Sequence, residues 1–190
     1  DRIYLTSYTG YNEPGKRGGD PSSLKRQVLC LRRSDGELQW SKEVPAKLPE
    51  QARIREEHGY ATNTPAADAD GVVVFFGKSG VFAFDHAGKQ LWHADVGTKL
   101  NGWGSAASPV LVGDLVIVNA SVESGELVAL NKSTGKEQWR SPKISAAWNT
   151  PILVTTEAKT RELVVSVQDR VVGIDPETGK ELWRAEGVHS

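Results

Sequence analysis

Residues Gly173-Ile-Asp-Pro-Glu-Thr-Gly-Lys-Glu-Leu-Trp183 combine a short apolar run, a polar turn and a Gly-x-x-x-Trp ending. The same ending occurs at Gly36–Trp40, Gly88–Trp92 and Gly135–Trp139, and the Trp positions give periods of 52, 47 and 44 residues. Self-similarity at this spacing marks one supersecondary unit, repeated so that each copy buries a face against the next.

Working outward from each turn, an apolar run precedes every glycine: Val28–Leu31, Val81–Phe84, Leu127–Leu130 and Val171–Ile174. Second runs lie further upstream at Ile3–Leu5, Val72–Phe76, Leu115–Val118 and Leu163–Val165. Three copies add a strand led by proline, at Thr64-Pro, Ser108-Pro and Thr150-Pro. Proline is compatible with the first position of a strand, where its missing N–H deprives no ladder partner. Glycine supplies the positive φ that a tight hairpin needs. Each unit is therefore four short strands joined by hairpins, the make-up of a propeller blade. The expected fold is all-β: a β-propeller of four-stranded antiparallel blades, at approximately 1–45, 61–97, 105–141 and 148–186. The first blade is incomplete, because the chain opens directly in its second strand. A helix of at most two turns is expected over Pro49–Glu57, opened by the proline.

Composition narrows the function classes. With 23 Lys and Arg against 24 Asp and Glu, the net charge is −1, and the signs are interspersed. That pattern offers no field for nucleic acid or an anionic membrane. No apolar stretch approaches the length of a transmembrane helix. The chain has no methionine, even at position 1, and reads as a piece of a longer protein. Cys30 is the single cysteine and aligns with Ala83, Ala129 and Gly173, a column of small side chains that reads as buried. Trp40, Trp92, Trp139 and Trp183 fall on the last strand of each unit, opposite that column. There they interdigitate, with each indole N–H needing an acceptor. These Trp residues and Gly36, Gly88, Gly135 and Gly179 are read as structural.

The strings Asp/Asn-x-x-Thr-Gly-Lys-Glu-x-Trp and the following Ser/Thr-Pro strands resemble the PQQ-like (quinoprotein-type) β-propeller repeat, in four copies. The resemblance implies a fragment of a ring of about eight blades. It implies one of two activities, and export to the periplasm with either. One branch oxidises alcohols or sugars with pyrroloquinoline quinone and Ca²⁺. The other, resembling the assembly lipoprotein BamB, is a non-catalytic protein-binding scaffold. The quinone branch carries a vicinal Cys-Cys pair that this chain lacks, and no Glu, Asn and Asp set for the metal can be placed. No cofactor is therefore expected, PQQ with Ca²⁺ being the alternative.

Other motif-like strings fail on context. Gly77-Lys-Ser79 ends like a phosphate loop, but position 72 is Val and a strand follows, so a turn is expected. Asp68-Ala-Asp70-Gly71 starts like a calcium loop and lacks the later ligands. Asn119-Ala-Ser121 and Asn131-Lys-Ser133 are sequons only in a eukaryotic secretory setting. His58, His86, His93 and His189 show no metal-ligand spacing. The basic pairs Lys16-Arg17 and Lys25-Arg26, in the long Thr9–Arg26 insertion, could meet an acidic partner or simply be solvated. The connections entering the proline-led strands are the better candidates. They hold Tyr60, Asn63, Trp103, Ser105, Trp148 and Asn149, aromatic faces beside polar groups that suit a peptide, a sugar or another small polar ligand. The competing reading is that they plug the channel and cap strands. The expected function is a non-enzymatic scaffold binding a protein, peptide or small polar ligand. The alternatives are a quinoprotein dehydrogenase and a sugar-binding module of an exported enzyme. A half-ring leaves two blade faces bare, so the fragment alone is expected to self-associate.

Overall fold

The computed structural model describes residues 1–13, 15–16, 18–51 and 59–187. Fifteen strands form four antiparallel sheets in chain order. The first has three strands, β1 (Arg2–Thr9), β2 (Lys25–Arg32) and β3 (Leu38–Val44). The second runs through β4 (Ala66–Ala67), β5 (Val72–Phe75), β6 (Val81–Phe84) and β7 (Gln90–Ala94). The third holds β8 (Val110–Val112), β9 (Leu115–Ala120), β10 (Glu126–Asn131) and β11 (Glu137–Arg140). The fourth holds β12 (Ile152–Thr155), β13 (Arg161–Val167), β14 (Arg170–Ile174) and β15 (Glu181–Glu186). Each sheet is a meander of sequential neighbours, the blade of a propeller.

Strands of the inner blades are buried on both faces, hence their unbroken apolar runs. Every residue of β5, β6 and β9 is buried. In β13, which has a packed neighbour on one side only, Leu163, Val165 and Val167 are buried and alternate with half-exposed residues.

The cores lie between blades. Val72, Val74, Phe82 and Phe84 of the second blade pack on Tyr4, Val28 and Trp40 of the first. Val116, Val118, Val128 and Leu130 of the third pack on Val73, Ala83 and Trp92 of the second. Leu163, Val165, Val172 and Ile174 of the fourth pack on Ile117, Leu127, Ala129 and Trp139 of the third.

The four repeated Trp residues pair directly across their last hairpin with the small column: Cys30 with Trp40, Ala83 with Trp92, Ala129 with Trp139, Gly173 with Trp183. Three of the indoles reach into the next blade. Trp40 Nε1 donates to the His86 carbonyl (3.1 Å), Trp92 Nε1 to that of Lys132 (2.8 Å) and Trp139 Nε1 to that of Pro176 (3.1 Å). The turn glycines lie on those rings. A Cβ added to Gly135 would come within 2.6 Å of Trp92, and one on Gly179 within 2.3 Å of Trp139. With φ of +71° at both positions, the glycine answers two demands at once: the left-handed turn and the close approach of an indole.

Asp68 and Asp70 sit in the β4–β5 turn and hold Lys132 of the next blade, at 2.7 and 2.6 Å from its Nζ. Their hydrogen bonds push the Lys132 pKa up. The calcium-loop-like string is thus an ion-pair clamp between blades. Gly77–Ser79 is a single 3-10 turn in the β5–β6 hairpin. Of the expected helix, Pro49–Gln51 is not helical, and the rest lies outside the described residues, as do His58, His189 and Arg17.

Candidate functional site

In an up-and-down meander, the turns between second and third strands share one edge of the blade with the blade-to-blade connections. The remaining turns, including every Gly-x-x-x-Trp turn, lie at the opposite edge. The irregular polar chain therefore gathers on one face, here called upper, and the repeated turns on the lower.

An upper-face cleft with about 360 Å³ of empty space, open to solvent, lies among three blades. Arg26 at the start of β2, Gly77 in the β5–β6 turn, Glu123 in the β9–β10 turn, and Tyr60, Asn63 and Ser105 from the connections all line it. Glu123 is buried, and its Oε2 has no hydrogen-bond partner among the described residues. Burial pushes the Glu123 pKa from 4.5 up to about 7; a hydrogen bond from Ser105 works against this, and the nearby Glu50 carboxylate adds to it. Gly77 makes room for the carboxylate: a Cβ there, at φ +54°, would stand 2.9 Å from Glu123 Oε1.

Arg26 is a strut between the first two blades. Its Nε donates to the Tyr60 carbonyl (2.8 Å) and its Nη1 to Ser79 Oγ (2.6 Å). Its Nη2 lies 3.2 Å from Glu50 Oε1, both side chains being buried, in an ion pair without hydrogen-bond alignment. Lys25 pairs with Glu43 at 3.1 Å. The Lys25-Arg26 pair is therefore not a free basic patch, because one member is consumed inside the fold.

The six candidate residues separate into two groups. Tyr60 is buried in an aromatic cluster, its ring 5.4 Å from Tyr8 and 5.9 Å from Tyr11, and its hydroxyl donates to the Gln51 carbonyl. Asn63 Nδ2 donates to the Ala107 carbonyl (2.6 Å), and Asn149 Nδ2 donates to the Ser166 carbonyl. These amides tie connections and strands together, as the capping reading holds. Ser105 lines the cleft beside Glu123. Trp103 and Trp148 stand side by side at the surface, centroids 6.3 Å apart and tilted 58°, with 44% and 36% of their area exposed. Trp148 is fixed by its Nε1–H to the Gly104 carbonyl at 3.0 Å.

Sequence reasoning missed two features. Thr64 N donates to Ser108 Oγ and Ser108 N to Thr150 Oγ1, both at 2.9 Å, so the residue before each proline links neighbouring blades. The Ser/Thr-Pro pattern carried that signal. Glu123 carried none, since Glu in a Ser-Val-Glu-Ser-Gly turn looks solvated. The sequon residues Asn119 and Ser121 are buried, and both donate to the Ala147 carbonyl. Among the described residues, no three His, Cys, Asp or Glu side chains gather as a metal site, and no helix is long and apolar enough to cross a membrane.

A family model described as "Outer membrane protein assembly factor BamB" matches residues 21–154, more than two thirds of the sequence. The chain belongs to this PQQ-like propeller family. Solved structures agree on the fold. BamB from Moraxella catarrhalis superposes with a TM-score of 0.60 at 19% identity, covering 87% of this chain and 49% of that one. Quinohemoprotein alcohol dehydrogenase from Comamonas testosteroni gives 0.64 at 15%, covering 87% and 33%. The computationally designed Ika8 protein gives 0.58 at 16%, covering 88% and 47%. The chain thus spans less than half the length of each of these three proteins. No curated protein matches the sequence.

Proposed function

We propose that this chain is the binding part of a non-enzymatic, exported BamB-type propeller, and that a protein or peptide segment docks on its upper face across Trp103 and Trp148. The exposed indole pair carries the reading. Two rigid aromatic faces beside a polar cleft are the anchors that interfaces favour, and they cost little side-chain entropy to immobilise. The family description, an outer membrane assembly factor, supports a protein partner and the periplasmic setting.

The same face supports no quinone chemistry. The Glu50 carboxylate is matched by Arg26, the Glu123 carboxyl is held largely protonated below neutrality, and Cys30 is buried in the core with no second cysteine beside it. No PQQ–Ca²⁺ site is therefore part of this proposal.

Crosslinking at a photoreactive residue placed at Trp103, in the periplasm of the source cell, tests the reading. A discrete protein adduct lost on Trp148→Ala is expected. Saturable micromolar binding of pyrroloquinoline quinone with Ca²⁺ would replace the scaffold with the dehydrogenase reading.

A further inference from the structure

The blade junctions follow one rule: a Trp knob on the leading face of one blade sits against the turn glycine of the next. At the two ends of the chain, both halves of that rule are present and neither is filled.

The socket is on the first blade. Register places Ile3, Leu5, Leu29 and Leu31 where the second blade has Val72, Val74, Phe82 and Phe84, since Ile3 pairs with Leu31 and Leu5 with Leu29 as Val72 pairs with Phe84 and Val74 with Phe82. Val74 is completely buried by its neighbour, whereas Leu5 is 43% exposed. Gly36 occupies the place of Gly88, Gly135 and Gly179, with φ +76°, and a Cβ added to it would meet nothing within 4 Å. The other three would each strike an indole.

The knob is on the fourth blade. Trp183 is 39% exposed where Trp92 is 7%. Its Nε1–H turns back to Glu162 Oε2 of its own sheet (2.7 Å), while the other three cross to the next blade. Ile152 on the same sheet is the most exposed large apolar side chain among the described residues.

Apolar faces of blade size are costly to leave in water. The two faces complement each other and not themselves, which makes the contact heterologous; such contacts form a closed assembly when the rotation returns to the start. The chain covers 49% of the BamB propeller and 47% of Ika8, so two copies supply the length of either. We propose that two copies of this chain pair head to tail about a twofold axis, the Trp183 face of each seated on the Gly36 face of the other. The Trp183 N–H then passes from Glu162 to a carbonyl of the Arg33–Ser34 turn, as the other junctions do.

Light scattering on the 190-residue chain at micromolar concentration tests this, with Leu5→Glu and Trp183→Ala as variants. The expected mass is twice 20.6 kDa. Each variant alone should weaken pairing by about tenfold or more. Mixing the two should restore a one-to-one heterodimer through the single intact junction. Both side chains are substantially exposed in the single chain, so its circular dichroism should be unchanged; if Trp183→Ala loses structure, Ile152→Glu replaces it on the same face. A monomeric wild type, open-ended oligomers, or dependence on only one of the two faces would overturn head-to-tail closure.

Discussion

The lower and upper faces of this propeller are built by opposite rules. On the lower face, every junction repeats the same contacts: indole over glycine, indole N–H to a turn carbonyl, Asx side chain capping its own turn. Asn131 Oδ1 accepts from Ser133 N and Thr134 N, and Asp85 Oδ1 from Ala87 N and Lys89 N. On the upper face no two connections are alike, and there lie the buried ion pair, the raised carboxyl and the exposed aromatic pair. Repetition marks what every blade needs, and departures from it mark what this molecule alone needs.

The largest expected effect breaks the lower rule. Trp92→Ala empties a junction where the indole is buried and hydrogen-bonded, and should cost about 4 kcal/mol of stability, measured by denaturant unfolding. Gly135→Val should be comparably damaging, because the branched side chain meets both a left-handed φ and the Trp92 ring. A loss below about 1 kcal/mol for either would mean that the blades do not depend on the knob.

That rule was legible because it is local and repeated. The period, the Trp column opposite Cys30, Ala83, Ala129 and Gly173, and the strand-leading prolines all lie in short strings that recur, so each copy checks the others. Arg26 was not legible. In the sequence it is half of a basic pair in an insertion, and its partners Ser79, Tyr60 and Glu50 come from another blade and its connection. Pairing across such distances leaves no mark in a single sequence. Tyr60 and Asn63 stand out in the sequence, but what they touch does not, since an aromatic or an amide looks the same whether it faces a ligand or a neighbouring strand.

The upper face should show itself in pH dependence. Glu123 binds its proton more tightly folded than unfolded, so the folded state holds more protons between the two pKa values. The resulting stability is fully present below about 4.5 and is lost as pH rises through about 7. The change should be on the order of 3 kcal/mol across that window. Arg26, Glu50 and Lys99 are the charged groups that line the cleft with Glu123 and Lys78. Glu123→Gln, which keeps the shape and cannot ionise, should flatten the profile. An unchanged slope in the variant would assign the dependence to another group.

A smaller effect is expected at the clamp. Lys132→Ala leaves Asp68 and Asp70 facing each other across the lower edge, but Asp70 is mostly solvated. The cost should be about 1 kcal/mol and should shrink in high salt, as a partly exposed pair requires. Salt-insensitive loss would mean that Lys132 acts through the packing of its stem.

The smallest effect on stability is expected where the effect on binding should be greatest. Trp103 and Trp148 contact each other, Trp148 also holds the Gly104 carbonyl, and more than a third of each residue is exposed, so truncation removes little burial. Trp103→Ala should change stability by about 0.5 kcal/mol or less. An interface anchor behaves otherwise: its truncation typically costs about 2 kcal/mol or more of binding, roughly thirtyfold in affinity. The double variant should therefore melt like the parent while losing its partner in the crosslinking experiment. If it instead unfolds readily, the indoles are fillers of the upper face, and the division between a repeated, structural lower face and a variable, binding upper face no longer holds at these two residues.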